Sequence, residues 1–364
     1  MTTAATRQLL TLLGTELPII QAPLAGVQLS AMAIAVSKAG ALGSLPCAML
    51  APDALRSELD KLHSAVGKRY NVNFFCHTPP TPDAVAETRW REALASYYAE
   101  HGIDPATVPA GAGRVPFSAE SADILETFKP QVVSFHFGLP SPEMLERVKS
   151  WGSTVLSSAT TVAEARWLQA HGADAIIAQG VEAGGHRGVF LFDDMRPHPC
   201  HPLTLAGQLG TFSLLPQIVA AVKCPVIAAG GIADAAGVRA AMALGAAGVQ
   251  VGTSYMLCHE AINSNVHKAA LKKARDEGWD TALTNLFTGR PARGFVNRLM
   301  RELGPISPAA PAFPLSTAAL APLRSKAEAL GLGDFSPLWS GQNPSGCKEV
   351  GATELTLELA KGLA

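Results

Sequence analysis

The chain has 364 residues and a formal net charge of −1 at pH 7, with 48% hydrophobic and 16% charged residues. This balance gives no electrostatic basis for binding nucleic acid or an anionic membrane surface, and the hydrophobic content suffices for a buried core. The six cysteines are scattered without a CxxC pair, which argues against a disulfide framework or a zinc ribbon and favours a reducing, cytoplasmic location.

The first stretch, "MTTAATRQLLTLLGTELP", has no export pattern, and no apolar run of about 18 residues occurs, so no membrane anchor is expected. Short apolar runs then alternate with helical patterns. One helical pattern ends at Gly40, a suitable C-cap, and another runs from Pro52 to about Ser64. The apolar runs predict the first three strands: "LPIIQAP" (17–23), "ALGSLP" (41–46) and "YNVNFF" (70–75).

Residues 79–113 break the alternation. This stretch has proline-rich ends around a helical pattern, so it predicts a helical insertion after the third strand. We expect it at the carboxyl rim of the strands, where loops that cover a substrate often arise.

The alternation returns for five more strands, each separated from the next by a helical pattern. These runs are continuously apolar, as expected for a parallel sheet that is buried on both faces. They are "VVSFHFG" (132–138), "STVLSSA" (153–159), "AIIAQG" (175–180), "PVIAAGG" (225–231) and "GVQVGT" (248–253).

Eight βα units favour an α/β fold of the closed (β/α)8 TIM barrel type over residues 1–259. A doubly wound open sheet is the alternative, but it would more often carry a glycine fingerprint after the first strand, where this chain has "QAPLAG". Residues 260–364 no longer follow the repeat. They predict a smaller, mainly helical region with a proline-rich stretch, "PISPAAPAFP", before a final helix.

Two glycine loops follow the last two predicted strands, where barrels commonly bind phosphate. Gly230 and Gly231 precede a helix expected to begin near Asp234, and Gly252 and Thr253 follow the eighth strand. Backbone N–H groups at such positions suit a phosphate dianion. Either loop alone could serve only to turn the chain, but together they favour a phosphate site.

Polar side chains end several of the other strands. Amide groups there can donate to and accept from the edge of a flat heterocycle, and with a phosphate site they suggest flavin mononucleotide (FMN). A sugar phosphate would satisfy the phosphate loops equally well. The residues are Gln21, Asn73, His136, Gln179 and Gln250.

A set of long motifs resembles the class I nitronate monooxygenases, formerly called 2-nitropropane dioxygenases. The resemblance runs from about Leu17 to Gln342 and implies an FMN-dependent TIM barrel that oxidises alkyl nitronates, such as propionate 3-nitronate, with O2 to a carbonyl compound and nitrite. The motifs are "PIIQAPLAG", "AVSKAGALGS", "YNVNFF", "SFHFGLP", "AQGVEAGGHRG", "PVIAAGGIADAAGVRAAMALGAAGVQVGT" and "GDFSPLWSGQ".

The resemblance implies roles for individual residues. It identifies His186 as the catalytic histidine, with Gly184 and Gly185 letting the backbone pass close to the flavin. The triplet Gln21, Ala22 and Pro23 would lie under the flavin ring. Contacts to FMN are implied for Asn73, Gln179, Gly184, Gly231, Gln250, Val251, Gly252 and Thr253.

The chemistry of histidine also supports a functional role for His186, independently of the resemblance. A pKa near 6.5 lets a histidine accept a proton at neutral pH, and its cationic form would attract an anionic substrate. The alternative is a structural role, in which the histidine only completes a hydrogen-bond network in the loop. Two weaker candidates for substrate contact are His136 and Tyr255, each of which could equally be a packing residue. Two others are Trp339 and Gln342, which lie where the tail is expected to return to the barrel.

Other functions remain open at this point. The same FMN barrel could serve an NAD(P)H-dependent reductase of a quinone or an enoyl thioester. A sugar-phosphate isomerase or aldolase is a further alternative, although no lysine ends a strand where an aldolase would need one. "RPHPCHP" groups His198, Cys200 and His201, but its prolines and missing fourth ligand favour a solvent loop over a metal site. The expected partners are a small-molecule substrate and O2. The protein itself is expected to be a monomer or a homodimer.

Overall fold

The computed structural model describes residues 3–81, 83–108, 114–192 and 205–364. Predicted features within 193–204, including His198, Cys200 and His201, lie outside the described residues, as do residues 82 and 109–113 of the predicted insertion. In chain order the strands are β1 (Ile19–Gln21), β2 (Ser44–Pro46), β3 (Asn71–Phe75), β4 (Val132–His136), β5 (Thr154–Ala159), β6 (Ala175–Gln179), β7 (Gly185–His186), β8 (Val226–Ala229), β9 (Gly248–Val251), β10 (Thr281–Thr284) and β11 (Ala292–Phe295).

Eight parallel strands form the barrel in the order β1, β9, β8, β6, β5, β4, β3, β2. A bridge between Ile20 and Leu42 joins the two ends, and the Gln21 N–H donates to the Leu42 carbonyl at 3.0 Å. Each barrel strand falls within one of the predicted runs, so the eight-stranded TIM barrel is confirmed. The strands read as apolar runs because the barrel interior and the surrounding helices bury both faces.

Helices alternate with the barrel strands and cover its outside. Their boundaries follow local chemistry: α3 begins with Pro52 at its first position, and the Asp234 side chain caps α9 by accepting from the Gly237 N–H at 2.8 Å. The helices are α1 (Ala4–Leu13), α2 (Ser30–Lys38), α3 (Pro52–Val66), α4 (Ala84–Glu100), α5 (Ala119–Phe128), α6 (Pro142–Ser150), α7 (Val162–Ala170), α8 (Thr211–Ala221), α9 (Ala235–Ala243), α10 (Asn265–Glu277), α11 (Arg298–Leu303), α12 (Ser316–Ala329) and α13 (Ala352–Ala360).

Helix α1, which the sequence analysis did not predict, closes the bottom of the barrel. The Leu12 carbonyl accepts from Gln131 at 2.9 Å and from Thr154 at 2.8 Å, and both donors lie where barrel strands begin. Leu9 and Leu13 are fully buried against residues of the barrel interior. The opposite, carboxyl end of the barrel therefore remains the open one.

The C-terminal region is mainly helical, as expected, and also contains two short strands that the sequence analysis did not predict. Strands β10 and β11 pair with each other, and β11 pairs with β7, which places Ala292 opposite His186 in an antiparallel sheet. "TALT" and "ARGF" are short and not distinctly apolar. One of the two partners of β11, strand β7, lies about 100 residues away in the sequence. Local pattern therefore gave no signal for this sheet.

The predicted insertion forms α4, which packs on the C-terminal region. The Trp90 indole N–H donates to the Ser316 carbonyl at 3.2 Å, and the Tyr98 hydroxyl donates to the Ala319 carbonyl at 2.8 Å. Both aromatic residues share a buried cluster with α12. Within the described residues, no helix combines the length and apolar character needed to cross a membrane.

Candidate active site

A cavity opens at the carboxyl ends of the barrel strands, between the barrel and the C-terminal region. It encloses about 1350 Å³ of empty space including its mouth, which accommodates a ligand of cofactor size. The predicted site residues that line it are Ala22, Pro23, Asn73, His136, Gln179, Gly184, Gly185, His186, Gly230, Gly231, Gln250, Gly252, Thr253 and Trp339.

Four predicted residues do not line this cavity. Gln21 is fully buried, and its side-chain carbonyl accepts from the Ser44 N–H at 3.1 Å. Tyr255 is also fully buried, and its hydroxyl pairs with Thr356 at 2.8 Å, so it packs against α13. Val251 lies in the core, and Gln342 is exposed with its N–H donating to the Glu182 carbonyl at 3.0 Å.

The two glycine loops present unused donors at one end of the cavity. Gly230 and Gly231 adopt φ of +116° and +74°, conformations that favour glycine. Among the described residues, the backbone N–H groups of Gly231, Ile232, Gly252 and Thr253 have no hydrogen-bond partner. Such a convergent group of N–H donors is suited to an anion such as phosphate.

The tail residues 339–343 close over this end of the cavity. The Gly341 N–H donates to the Thr253 hydroxyl at 2.9 Å, and the Asn343 side chain donates to the Gly231 carbonyl at 3.1 Å. A Cβ on Gly184 would stand only 2.5 Å from the Gly341 nitrogen. The glycine at 184 is therefore needed for the tail to pass.

Two side chains hold the loop that carries His186. Gln179, at the end of β6, donates to the His186 carbonyl at 2.9 Å and accepts from the Gly188 N–H at 2.8 Å. The buried Arg187 guanidinium donates to the carbonyls of Gly180 at 2.6 Å and Gln179 at 2.9 Å. Gly185 begins β7 in this segment with a φ of +70°, a conformation that favours glycine.

His136 supports the same loop. Its Nε2 lies 3.2 Å from the His186 carbonyl oxygen, and its Nδ1 lies 3.1 Å from the Ser158 hydroxyl. Because a carbonyl only accepts, Nε2 carries the hydrogen and Nδ1 accepts from the serine. Burial lowers the pKa of His136 to about 3, so the ring is neutral and acts as a support.

The His186 imidazole lies among aromatic rings. Its centroid is 5.3 Å from that of Phe313, 5.7 Å from that of Trp339 and 5.9 Å from that of Phe75. Burial, followed by the positive charge of Arg114, lowers the pKa of His186 well below 6.5. The imidazole is therefore neutral at pH 7 and able to accept a proton.

Thr288 defines which nitrogen of His186 is available. Nε2 of His186 lies 3.0 Å from the Thr288 hydroxyl, and that hydroxyl donates its single hydrogen to the Arg290 carbonyl at 3.3 Å. The hydroxyl then accepts from Nε2–H, which leaves the lone pair on Nδ1. Nδ1 has no hydrogen-bond partner among the described residues and is the proton acceptor that this site offers.

Sequence reasoning missed several of these residues. Thr288, Arg290 and Arg114 lie in segments without a regular pattern, and only the fold brings them to His186. The tail residues Ser340 and Gly341 were within reach because they belong to the quoted "LWSGQ" motif. No group of three or more His, Cys, Asp or Glu side chains placed to hold a metal occurs in the described part of the chain.

Comparison with known proteins gives a consistent assignment. A family model for nitronate monooxygenase matches residues 6–362. A relative from Paraburkholderia phytofirmans named nitronate monooxygenase is 40% identical, over 98% of this chain and 95% of the relative. A relative of the same name from Pseudomonas aeruginosa is 39% identical, over 97% of each chain. The solved nitroalkane oxidase from Streptomyces ansochromogenes superposes with a TM-score of 0.86 at 36% identity over 98% of both chains. FabK from Thermotoga maritima gives 0.67 at 26% identity, over 99% of this chain and 96% of FabK.

The buried histidines predict how stability depends on pH. Burial lowers the pKa of His77 to about 4, of His136 to about 3 and of His267 to about 4, and lowers the pKa of His186 well below 6.5. Below pH 6.5 the unfolded chain binds protons that the folded chain does not, so stability should be full above that pH and decrease as the pH falls. Each histidine contributes up to about 1.4 kcal/mol per pH unit.

Urea unfolding at pH 7, 6 and 5 measures this slope. The variant His267→Gln, at a residue that does not itself line the cavity, should show a smaller slope by one histidine's share, because an amide does not titrate. A parent protein whose stability is constant from pH 7 to 5 would show that these histidines are not buried as neutral groups.

Proposed function

Because this chain belongs to the nitronate monooxygenase family, we propose that it oxidises alkyl nitronates with O2 to a carbonyl compound and nitrite, with FMN bound in the cavity. The observation that carries the proposal is the neutral His186, which offers Nδ1 to a cavity whose other end presents unused backbone donors. Family membership points to a flavin, and FMN in particular is part of the proposal.

The residues present fit FMN. We assign the phosphate to the N–H groups of Gly231, Ile232, Gly252 and Thr253, because these four residues line the cavity and their N–H groups have no partner among the described residues, so they are available to an anion. Asn73 and Gln250 line the same cavity and can offer amide groups to the edge of the ring, Asn73 through its side-chain oxygen because its nitrogen donates to Ser134 at 2.9 Å. No βαβ fingerprint for an adenosine moiety occurs in the sequence, which favours FMN over FAD.

The chain's own residues divide the chemistry. A bound flavin supplies the oxidation of the nitronate. His186, held neutral, can remove a proton from a neutral nitroalkane at Nδ1, and Thr288 keeps that nitrogen unprotonated. Being neutral, His186 does not compensate the negative charge of the nitronate. That role falls to Arg114, which lines the same cavity.

A reductase remains the second candidate, supported by the resemblance to FabK. It has less support, because the identity to FabK is 26% and the identity to the nitronate monooxygenases is 39–40%. We further propose a cytoplasmic protein, in line with buried free thiols at Cys47, Cys258 and Cys347. Residues 1–259 would form the cofactor barrel and residues 260–364, joined by α4, its cover.

The proposal is tested on the purified protein. Heat-released flavin should chromatograph as FMN, and the loaded protein should release nitrite from a preformed alkyl nitronate in air but not under nitrogen. Anaerobic bleaching of the flavin by NAD(P)H, without aerobic nitrite release, would instead establish the reductase. Release of FAD, or no binding of flavin on reconstitution, would overturn the cofactor assignment.

Gly231→Asp tests the phosphate assignment. The new carboxylate would stand beside the phosphate and repel it, so we expect FMN affinity to fall by at least tenfold. Gly304→Asp is a matched control, because Gly304 has the same φ of +74° and lies away from the cavity. Flavin fluorescence titration measures both variants. Equal FMN affinity of the two variants would place the phosphate elsewhere.

His186→Asn tests the base. With FMN retained, turnover of neutral nitroalkane should fall ~10² to 10⁴-fold, and turnover of preformed nitronate should fall far less, because only the nitroalkane requires C–H deprotonation. Thr288→Val should share the selective loss and shift the pH profile, whereas Thr288→Ser should keep the parent profile. Steady-state nitrite release with each substrate form measures this. An equal loss on both substrates, with a raised KM for nitronate, would assign His186 to anion binding instead.

A further inference from the structure

A second cavity lies beside the first and has no role in the proposed chemistry so far. It encloses about 1190 Å³ of empty space, its opening included, and lies between the segment after β2, the start of α5 and the start of α12. Its lining is mostly apolar, with aliphatic, proline and aromatic side chains. Representative residues are Met49, Leu50, Leu55, Phe74, Ile124 and Pro314.

The two cavities meet at Ala48 and Arg114, which line both. The Arg114 guanidinium carbon lies 5.9 Å from the centroid of the Phe313 ring, and the same ring lies 5.3 Å from the His186 imidazole. Arg114 therefore stands at the junction, within one aromatic ring of the proposed base.

Arg114 has no counter-ion in the described part of the chain. Its Nε is buried without a hydrogen-bond partner, and it forms no ion pair with the described carboxylates. Glu120, which also lines the second cavity, is exposed on the first turn of α5. A guanidinium whose Nε is buried without a partner among the described residues is stabilised when a planar two-oxygen anion binds it.

We propose that the second cavity is a tail pocket for the substrate: Arg114 binds the anionic nitronate group at the junction, and an apolar chain of several carbons extends past Ala48 into the second cavity. The substrate class is then a nitronate with an extended alkyl or aryl chain, in preference to a short or acid-terminated one. This inference rests on the proposed function of the first cavity.

The lining sets the expected preference. Each methylene that moves from water into the apolar pocket should raise kcat/KM roughly fourfold. A terminal carboxylate would lose its hydration among apolar side chains without gaining a second cation there, so propionate 3-nitronate should be a poorer substrate than 1-hexyl nitronate.

Ala318→Phe tests the pocket. Ala318 lines the second cavity on the first turn of α12, and Phe there should reduce its space. Ala321→Phe is the matched control, because Ala321 is exposed on the same helix and lines neither cavity. We expect the ratio of kcat/KM for 1-hexyl nitronate to that for ethyl nitronate to fall at least tenfold in Ala318→Phe and to keep its parent value in Ala321→Phe.

Binding of unreactive analogues gives a second readout. Linear carboxylates share the planar two-oxygen anion of a nitronate, so octanoate should bind the FMN-loaded protein at least tenfold more tightly than acetate by calorimetry. Arg114→Met should weaken octanoate binding at least tenfold, and Arg114→Lys should restore part of it.

The outcomes separate the two proposals. Absence of nitrite from every nitronate would overturn the proposed function, while the carboxylate series would still test the pocket. Nitrite release with equal kcat/KM for ethyl and hexyl nitronates, together with equal carboxylate affinities, would overturn the tail pocket and leave the proposed function standing.

Discussion

The carbonyl oxygen of His186 is the point on which the site depends. It accepts from Gln179 at 2.9 Å and lies 3.2 Å from Nε2 of His136, and both side chains end barrel strands. The backbone of a glycine-rich segment is thereby attached to the rigid part of the fold. Since β7 also pairs with β11, the imidazole is fixed from the barrel on one side and from the C-terminal sheet on the other. A base must be held in this way to meet a substrate at a defined distance.

Burial separates proton acceptance from the carrying of positive charge, two roles that a surface histidine would combine. Among aromatic rings, the charged imidazole loses its hydration, and the neighbouring guanidinium of Arg114 disfavours a second positive charge. Proton acceptance therefore stays with His186, while positive charge stays with arginine, whose own pKa falls only to about 10. In the proposed chemistry Arg114 would bind the negative charge of a nitronate, and His186 would deprotonate a neutral nitroalkane, so the two roles do not depend on two protonation states of a single histidine.

The sequence predicted those parts of the fold that local pattern determines. Apolar runs such as "VVSFHFG" and "AIIAQG" are typical of strands buried on both faces, which places β4 and β6 in a covered parallel sheet, and the count of eight βα units favours the closed barrel. The glycine loops were visible because special backbone conformations require glycine, and His186 was assigned from the family resemblance of its motif. Thr288 and Arg114 were not, since their positions near His186 depend on contacts between segments distant in sequence. The pairing of β11 with β7 was missed for the same reason.

The cover over the barrel mouth shows how such distant contacts define a ligand site. Gly184 lacks a Cβ because the Gly341 backbone passes at contact distance, and Gly341 in turn donates to Thr253 beside the unused N–H donors. The tail thus completes the cavity at the proposed phosphate end. At the other end, Phe313 precedes α12 and contacts both His186 and Arg114. The C-terminal region therefore does more than cover the barrel, because its Phe313 contacts both the proposed base and the arginine at the junction of the two cavities.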